Sequence, residues 1–368
     1  MYRILVLNNY PLDRVMKEVN LGETGDHLLF GINYFEQAGY SCEILPTWTQ
    51  KTLPIKYKLM QKLFFYKNFG DLGQQLDALD HLNDIDLIYA PCGTQTQYLQ
   101  YLRASKRLDT PIVALQHHPE AKGRLDLLRA NFRAQVWSGL DSIPCLNQYT
   151  AKQIAKQYGA YRSFTVPWGA DLSFYEYSEK QEVGEGLIVA GRTGRDFKTV
   201  IQGLNNTNLD ANLVYIKGDL GYSGRISSNI NLTENVNGQP VPGEKKGWMK
   251  QRELNSLYKR SRVIGIPLHQ QNSLAGITSL MDCLGNGKPV IMTKNPYIDL
   301  DIEAEGIGHW VDSGDSKHWR ELVQWYDQHP KEARQMGKRA REIADSTYNS
   351  FNFAKSLMLV FDQIMSDI

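Results

Sequence analysis

Two stretches of the chain collect residues that can hold an anion. In the first, the apolar run Leu187-Ile188-Val189-Ala190 passes into Gly191-Arg192-Thr193-Gly194-Arg195-Asp196-Phe197-Lys198 and then into a helical pattern from Thr199. A glycine turn, two arginines and a lysine thus stand beside a helix amino terminus, whose free N–H groups and dipole favour negative charge. Arginine adds bidentate contacts to phosphate oxygens. A solvated basic turn is the ordinary alternative, since such turns are common. In the second stretch, Val263–Pro267 leads through a polar loop into a segment from Ser273 to Ile291. There Gly276 allows a ligand to approach the backbone at a helix start shared with Ile277 and Thr278, and Asp282 follows about two turns further on. A carboxylate at that place can accept hydrogen bonds from ribose hydroxyls. Taken alone, Asp282 would more often be a solvated helix residue.

Three weaker signals lie in the amino-terminal half. The strand-like run Pro111–Gln116 ends in His117-His118-Pro119-Glu120. Two histidines at a strand end can act on a ligand or can fill core and surface. No further His or Cys stands nearby at ligand spacing, so no metal is expected. The loop from Asn8 to Asp26 ends in Gly22-Glu23-Thr24-Gly25-Asp26-His27 before an apolar helix, and glycines there suit a diphosphate or an acceptor. A flexible loop capped by Asp26 accounts for them equally well. Finally, Lys51, Lys56, Lys58, Lys62 and Lys67 interleave with Leu59, Leu63, Phe64, Phe65 and Tyr66, without an acidic residue. Such a run could lie on an anionic membrane surface or pack its aromatic side on the first domain.

The elements that would position these residues alternate along the whole chain. Short apolar runs at Arg3–Leu7, Ser41–Leu45, Asp86–Ala90, Pro111–Gln116, Ser142–Leu146 and Ser163–Val166 are separated by amphipathic stretches. The pattern restarts after Pro167-Trp168-Gly169 with 186–191, 212–218, 229–236, 262–268 and 288–293. Alternation of this kind specifies parallel sheets with crossover helices, here two doubly wound domains, 1–168 and 169–350. From Ser316 onward the pattern is helical, and the last helix, Phe351 to Asp367, aligns Phe353, Leu357, Val360, Phe361 and Ile364 on one stripe. That stripe must pack on something, and residues 351–368 are expected to cross back to the first domain. Ligands of doubly wound domains bind at the carboxyl ends of strands, so two such domains are expected to hold theirs in a cleft between them.

Composition narrows the function classes. At 368 residues and 42% apolar, the chain is long enough for two cores. With 41 basic and 40 acidic side chains the net charge is +1, so no overall field draws it to nucleic acid. Met1–Leu7 breaks at Asn8-Asn9 without the features of a signal peptide, and no run has the length of a membrane span. Cys42, Cys92, Cys145 and Cys283 are widely spaced in apolar surroundings, as reduced core thiols would be. A cytoplasmic protein is expected, with a peripheral contact on the inner face of the membrane if 51–67 engages lipid.

Together the two anion-holding stretches resemble the donor site of the family 4 retaining glycosyltransferases of the GT-B fold, which carry a "GR...K" turn and a later "E...GxPVI" helix and strand. The matching residues are Gly191, Arg192 and Lys198, then Asp282 followed by Gly287-Lys288-Pro289-Val290-Ile291. The segment "VPWGADLSFY" at 166–175 is similar to the family's hinge, and "MGKRAREIADSTYN" resembles its closing helix. Two departures stand out. The family's pair of glutamates eight residues apart becomes Leu274 and Asp282, and Arg195 precedes Lys198 where many members show only a lysine.

The resemblance implies a metal-independent, retaining sugar transfer from a UDP- or GDP-linked sugar, with no cofactor. Arg192, with Arg195 or Lys198, would neutralise the departing diphosphate, where transition-state charge grows. Gly276, Ile277 and Thr278 would donate N–H groups to the sugar and distal phosphate, and Asp282 would hold the ribose. The family places a histidine beside the transferred sugar, and the match favours His117 over His118. Apart from the resemblance, the residues themselves offer Gly22, Gly25, His27 and His118 as candidates for a further diphosphate or acceptor contact. The acceptor itself, whether glycan, lipid or small molecule, is not identified. Two rival readings share the architecture: a nucleotide-sugar 2-epimerase and a two-lobed, non-enzymatic sugar-binding protein.

Overall fold

The computed structural model describes residues 1–47, 71–93, 96–119, 126–159, 162–235 and 249–366 and, alone between 48 and 70, Ile55. The five lysines of the basic run 51–67 lie outside the described residues. The chain divides into two compact units, one of Met1–Lys17, Leu28–Trp168 and Phe351–Ile368, the other of Glu18–His27 and Gly169–Ser350. The segment Glu18–His27, placed with the first 168 residues by the sequence pattern, counts with the second unit.

In the first unit, strands β1 (Arg3–Leu7), β2 (Ser41–Leu45), β3 (Leu87–Ala90) and β4 (Ile112–Ala114) form a sheet in the order β2-β1-β3-β4. Strands β5 (Ile143–Cys145) and β6 (Ser163–Thr165) continue it, because the Gln116 N–H donates to the Pro144 carbonyl at 2.8 Å beside β4. Every pairing is parallel. The reason lies in the strands' composition: Ile4, Leu5, Val6 and Leu7 are all fully buried, so β1 is apolar on both faces and needs helices on each. The helix Ser350–Ser366 belongs to this unit from Phe351 onward and buries Phe353, Ala354, Leu357 and Phe361. Its Phe361 ring lies 5.1 Å from Phe35 and 5.4 Å from Tyr89. Val360 and Ile364, read as part of its apolar stripe, are only half-buried, and Ala354 and Met365 fill the core instead.

The second unit holds β7 (Glu185–Ala190), β8 (Ala211–Tyr215), β9 (Ile230–Glu234), β10 (Ser261–Ile266), β11 (Val290–Thr293) and β12 (Gly308–Val311), all parallel. Their order, β12-β11-β10-β7-β8-β9, is the doubly wound order in which the first and fourth strands of a unit lie side by side. Trp319 and Tyr326, both buried, anchor the core beneath this sheet. Loops leaving adjacent strands in opposite directions open a crevice at such a reversal, here between β7 and β10. Both anion-holding stretches found in the sequence leave these two strands. β12, which the sequence pattern did not mark, has His309 and Trp310 half-buried between buried ends.

Candidate active site

The turn after β7 is shaped by Gly191, whose φ of +128° lies outside the range of ordinary side chains. A Cβ there would also sit 2.3 Å from the Arg195 guanidinium. Arg195 fills that space, 7% exposed, and its donors are directed inward. Nε donates to the Ala190 carbonyl at 3.0 Å, one terminal nitrogen to the Thr193 carbonyl at 3.2 Å, and the other to Ser279 Oγ at 2.8 Å. It therefore ties the turn to the helix Ile277–Asn286. The turn is stitched to the loop after β10 as well: Asp196 N–H donates to Pro267 O at 3.1 Å and His269 N–H to Gly194 O at 3.0 Å. Asp196 caps the next helix, Phe197–Leu204, by accepting from the Thr199 N–H at 3.1 Å. Arg192 and Lys198 remain exposed. The three cations of this turn thus separate into one internal strut and two groups that face water.

The second loop ends at Gly276, which takes φ +93° as the residue before the helix Ile277–Asn286, without a side-chain cap. The preceding turn is held by Asn295, whose amide donates to the carbonyls of Ser273 at 3.1 Å and Ala275 at 2.9 Å. Thr278 is exposed at this helix start and Ile277 half-buried. Leu274, where the family motif has a carboxylate, is 2% exposed and belongs to the core.

Asp282 is 4% exposed, on the inner face of its helix, which removes the solvated-surface alternative. Its Oδ1 accepts from the Tyr175 hydroxyl at 2.5 Å and from the Gln251 amide at 3.4 Å, and Tyr258 also hydrogen-bonds the carboxylate. Burial pushes its pKa up to about 6, while these three donors and the Arg195 charge pull the other way. Burial likewise raises the two phenols, so both tyrosines stay protonated donors.

The glycine loop at 22–27 joins this cluster through hydrogen bonds from Thr24, Gly25 and Asp26. Gln251 Oε1 accepts from Thr24 Oγ1 at 2.5 Å and from the Gly25 N–H at 3.0 Å, while its Nε2 donates to the Tyr175 hydroxyl at 3.0 Å. Asp26 donates its N–H to Asp171 Oδ2 at 2.9 Å, and the His27 ring stacks 6.5 Å from Tyr175. His27 is 2% exposed, and its burial pushes its pKa down to about 4. Gly22, at φ +65°, is open to solvent on its Cβ side. Tyr175, Gln251, Tyr258 and Ser279 have no counterpart among the residues singled out in the sequence. Only Tyr175 carried a signal, as the last residue of the hinge-like segment.

In the first unit, His117 follows β4 and donates from Nε2 to the Pro91 carbonyl at 2.6 Å. A carbonyl can only accept, so Nε2 carries the proton and Nδ1 the lone pair. Burial pushes this imidazole down to about 4, keeping it neutral. His118 is exposed, with its ring 6.2 Å from that of His117. Among the described residues no group of three or more His, Cys, Asp or Glu side chains could hold a metal ion. No helix among them is long and apolar enough to cross a membrane.

Two parallel doubly wound units of this kind constitute the GT-B fold, the architecture of many sugar-transferring enzymes. Solved structures of that fold match the chain from end to end. Sucrose-phosphate synthase from Thermosynechococcus elongatus is 13% identical, with a TM-score of 0.68 and 100% of each chain covered. Anabaena HepE, solved in complex with UDP-glucose, is 12% identical with a TM-score of 0.61, again over 100% of both chains. The α,α-trehalose 6-phosphate synthase from Burkholderia multivorans is 9% identical, with a TM-score of 0.69 over 100% of both chains. No family profile matches the chain, and no curated protein matches it in sequence.

Proposed function

We propose that this protein is a glycosyltransferase that moves a sugar from a nucleoside-diphosphate sugar, UDP- or GDP-linked, to an acceptor hydroxyl. One observation carries the reading: the loops led by Gly191 and Gly276 leave adjacent strands β7 and β10 at the switch point of a GT-B fold. HepE, of the same fold, binds UDP-glucose.

In this reading Arg192 and Lys198, the two exposed cations of the turn, neutralise the diphosphate as it leaves, without a metal. Arg195 holds the turn in shape from inside. The N–H groups at Gly276, Ile277 and Thr278 receive the sugar and distal phosphate, and Asp282, oriented by Tyr175, Tyr258 and Gln251, holds the ribose. His117 contributes a neutral acceptor to the sugar, an assignment resting on the resemblance. Retention is what the resemblance implies. Since among the described residues no side chain offers itself as a covalent nucleophile, the route we infer is front-face displacement, the leaving phosphate helping to deprotonate the acceptor. The acceptor is a glycan, a lipid-linked sugar or a small molecule. The lysines of 51–67 give a cytoplasmic enzyme a means of reaching lipid at the inner membrane face.

The experiment is product analysis after incubation with UDP- and GDP-sugars, with and without a panel of acceptors. Free nucleoside diphosphate together with a glycosylated acceptor is expected, the anomeric configuration of the donor kept. Nucleotide release with a 2-epimerised sugar and no need for acceptor would replace this reading by the epimerase. Sugar binding independent of nucleotide would replace it by the binding protein.

A further inference from the structure

The first unit contains a backbone strain that the mechanism above leaves unused. Phe30 takes φ +50°, the left-handed region that a bulky side chain rarely enters, immediately before Gly31 at φ +89°. Strain of this type persists only when its surroundings over-determine it. Here two tyrosine hydroxyls do so from either side: Tyr10 donates to the Leu28 carbonyl at 2.9 Å and Tyr89 to the Phe30 carbonyl at 3.1 Å. Tyr89 is fully buried, and Phe30 is 5% exposed.

The Phe30 ring packs against three others, Tyr10, Trp168 and His117. The Trp168 indole stacks on it at 5.9 Å and 8°, and the His117 imidazole lies against it at 5.4 Å and 31°. His117 is held at a second point by its Nε2–H bond to Pro91 O. A ring fixed on one edge by a hydrogen bond and on one face by an aromatic cannot turn over or exchange its tautomer without breaking one of those contacts. What remains is a single lone pair, on Nδ1.

We infer that Phe30 is the positioning residue of His117: its strained backbone holds the phenyl ring against the imidazole and commits that imidazole to the Nε2–H tautomer, leaving Nδ1 as the one acceptor for a donor-sugar hydroxyl. This rests on the role given to His117 above. Phe30→Gly is the informative substitution, because glycine adopts positive φ freely and so removes the ring without adding backbone strain. The lost ring leaves a core cavity that lowers stability, so the variant's folding is checked first and Tyr89→Phe, which keeps the Phe30 ring, serves as the second variant.

The test is nitrogen-15 NMR of the histidines, the His117 signals being identified by their loss in His117→Ala. Wild-type protein is expected to show one protonated nitrogen, Nε2, and one unprotonated, Nδ1. In Phe30→Gly the expected spectrum is a mixture of tautomers, with turnover lowered about tenfold to a hundredfold and affinity for the bare nucleoside diphosphate unchanged. Tyr89→Phe, which removes one hydrogen bond to the strained turn, should shift both readouts the same way by less. An unaltered His117 spectrum in folded Phe30→Gly and Tyr89→Phe overturns the inference. If the spectrum changes while both Phe30→Gly and His117→Ala turn over normally, the positioning stands and the role of His117 on the sugar is what fails.

Discussion

Gln251 and Asp282, thirty-one positions apart in sequence, share one hydrogen-bonded cluster in which the Gln251 amide spans 3.4 Å to the carboxylate and 3.0 Å to Tyr175, a second of the carboxylate's three donors. The opposite end of the same amide accepts from Thr24 and Gly25. The loop read from the sequence as Asn8 to Asp26 is interrupted by a helix at Leu12–Asn20, and a single side chain thus connects the glycine loop that follows this helix, at 22–27, with the proposed ribose ligand. Removing it leaves several buried polar groups short of a partner, each worth about 1 to 3 kcal/mol. Gln251→Ala should therefore lower stability by about 2 to 4 kcal/mol in urea denaturation, and Gln251→Glu should be no better, since it puts a second carboxylate beside Asp282. A loss under about 0.5 kcal/mol, the range of ordinary surface changes, would mean that the cluster is not formed.

The two arginines of the turn should behave differently. Arg195 is buried with three internal acceptors, so Arg195→Ala is expected to destabilise by about 2 to 4 kcal/mol. Arg192 is exposed, and Arg192→Ala should leave stability within about 0.5 kcal/mol. Thermal or chemical denaturation of both variants decides the matter. Equal stability of the two would remove the distinction between strut and ligand.

The central strands were legible because they are short apolar runs closed by a glycine or polar turn, as Leu187–Ala190 before Gly191 shows, whereas the edge strand β9 buries only Ile230. β12 was not legible, since Gly308-His309-Trp310-Val311 buries only its ends and carries no run. At the site, Gly191 and Gly276 were legible for a local reason: a loop that must reverse beside a ligand requires positive φ, and glycine supplies it. The orientation of Arg195 was hidden, because whether a cation turns inward depends on Ser279 across the sheet's edge, and nothing near residue 195 encodes that. Gln251 was hidden for the same reason, its partner Thr24 lying 227 residues away. The strain at Phe30 likewise has no signature in a Phe-Gly pair.

Acidification should reveal the titrating groups that desolvation shifts, His27 and Asp282 buried and His117 half-buried, with opposite signs. His27 and His117 have pKa values near 4 in the folded state against 6.5 unfolded. The unfolded chain binds more protons between those limits, so each costs stability as pH falls from 6.5 to 4, by about 1.4 kcal/mol per pH unit at most. Asp282, raised from 3.8 to about 6, works the other way, since the native state binds the extra proton and stability falls as pH rises through that window. His27→Gln should therefore flatten the stability profile between pH 4 and 6.5. Asp282→Asn should steepen it between 4 and 6. Urea titrations at several pH values test both, and profiles parallel to wild type would show that these groups are not buried as described.

The central claim is that the Gly191–Lys198 turn receives the diphosphate of a nucleotide sugar, and calorimetric titration of UDP and GDP into wild-type protein and into Arg192→Ala tests it most directly. One of the two nucleotides should bind the wild type, and Arg192→Ala should weaken that binding tenfold or more, as a charge-assisted hydrogen bond worth about 1.5 to 3 kcal/mol requires. Binding of equal strength in the folded variant, or no binding of either nucleotide to the wild type, would contradict the account.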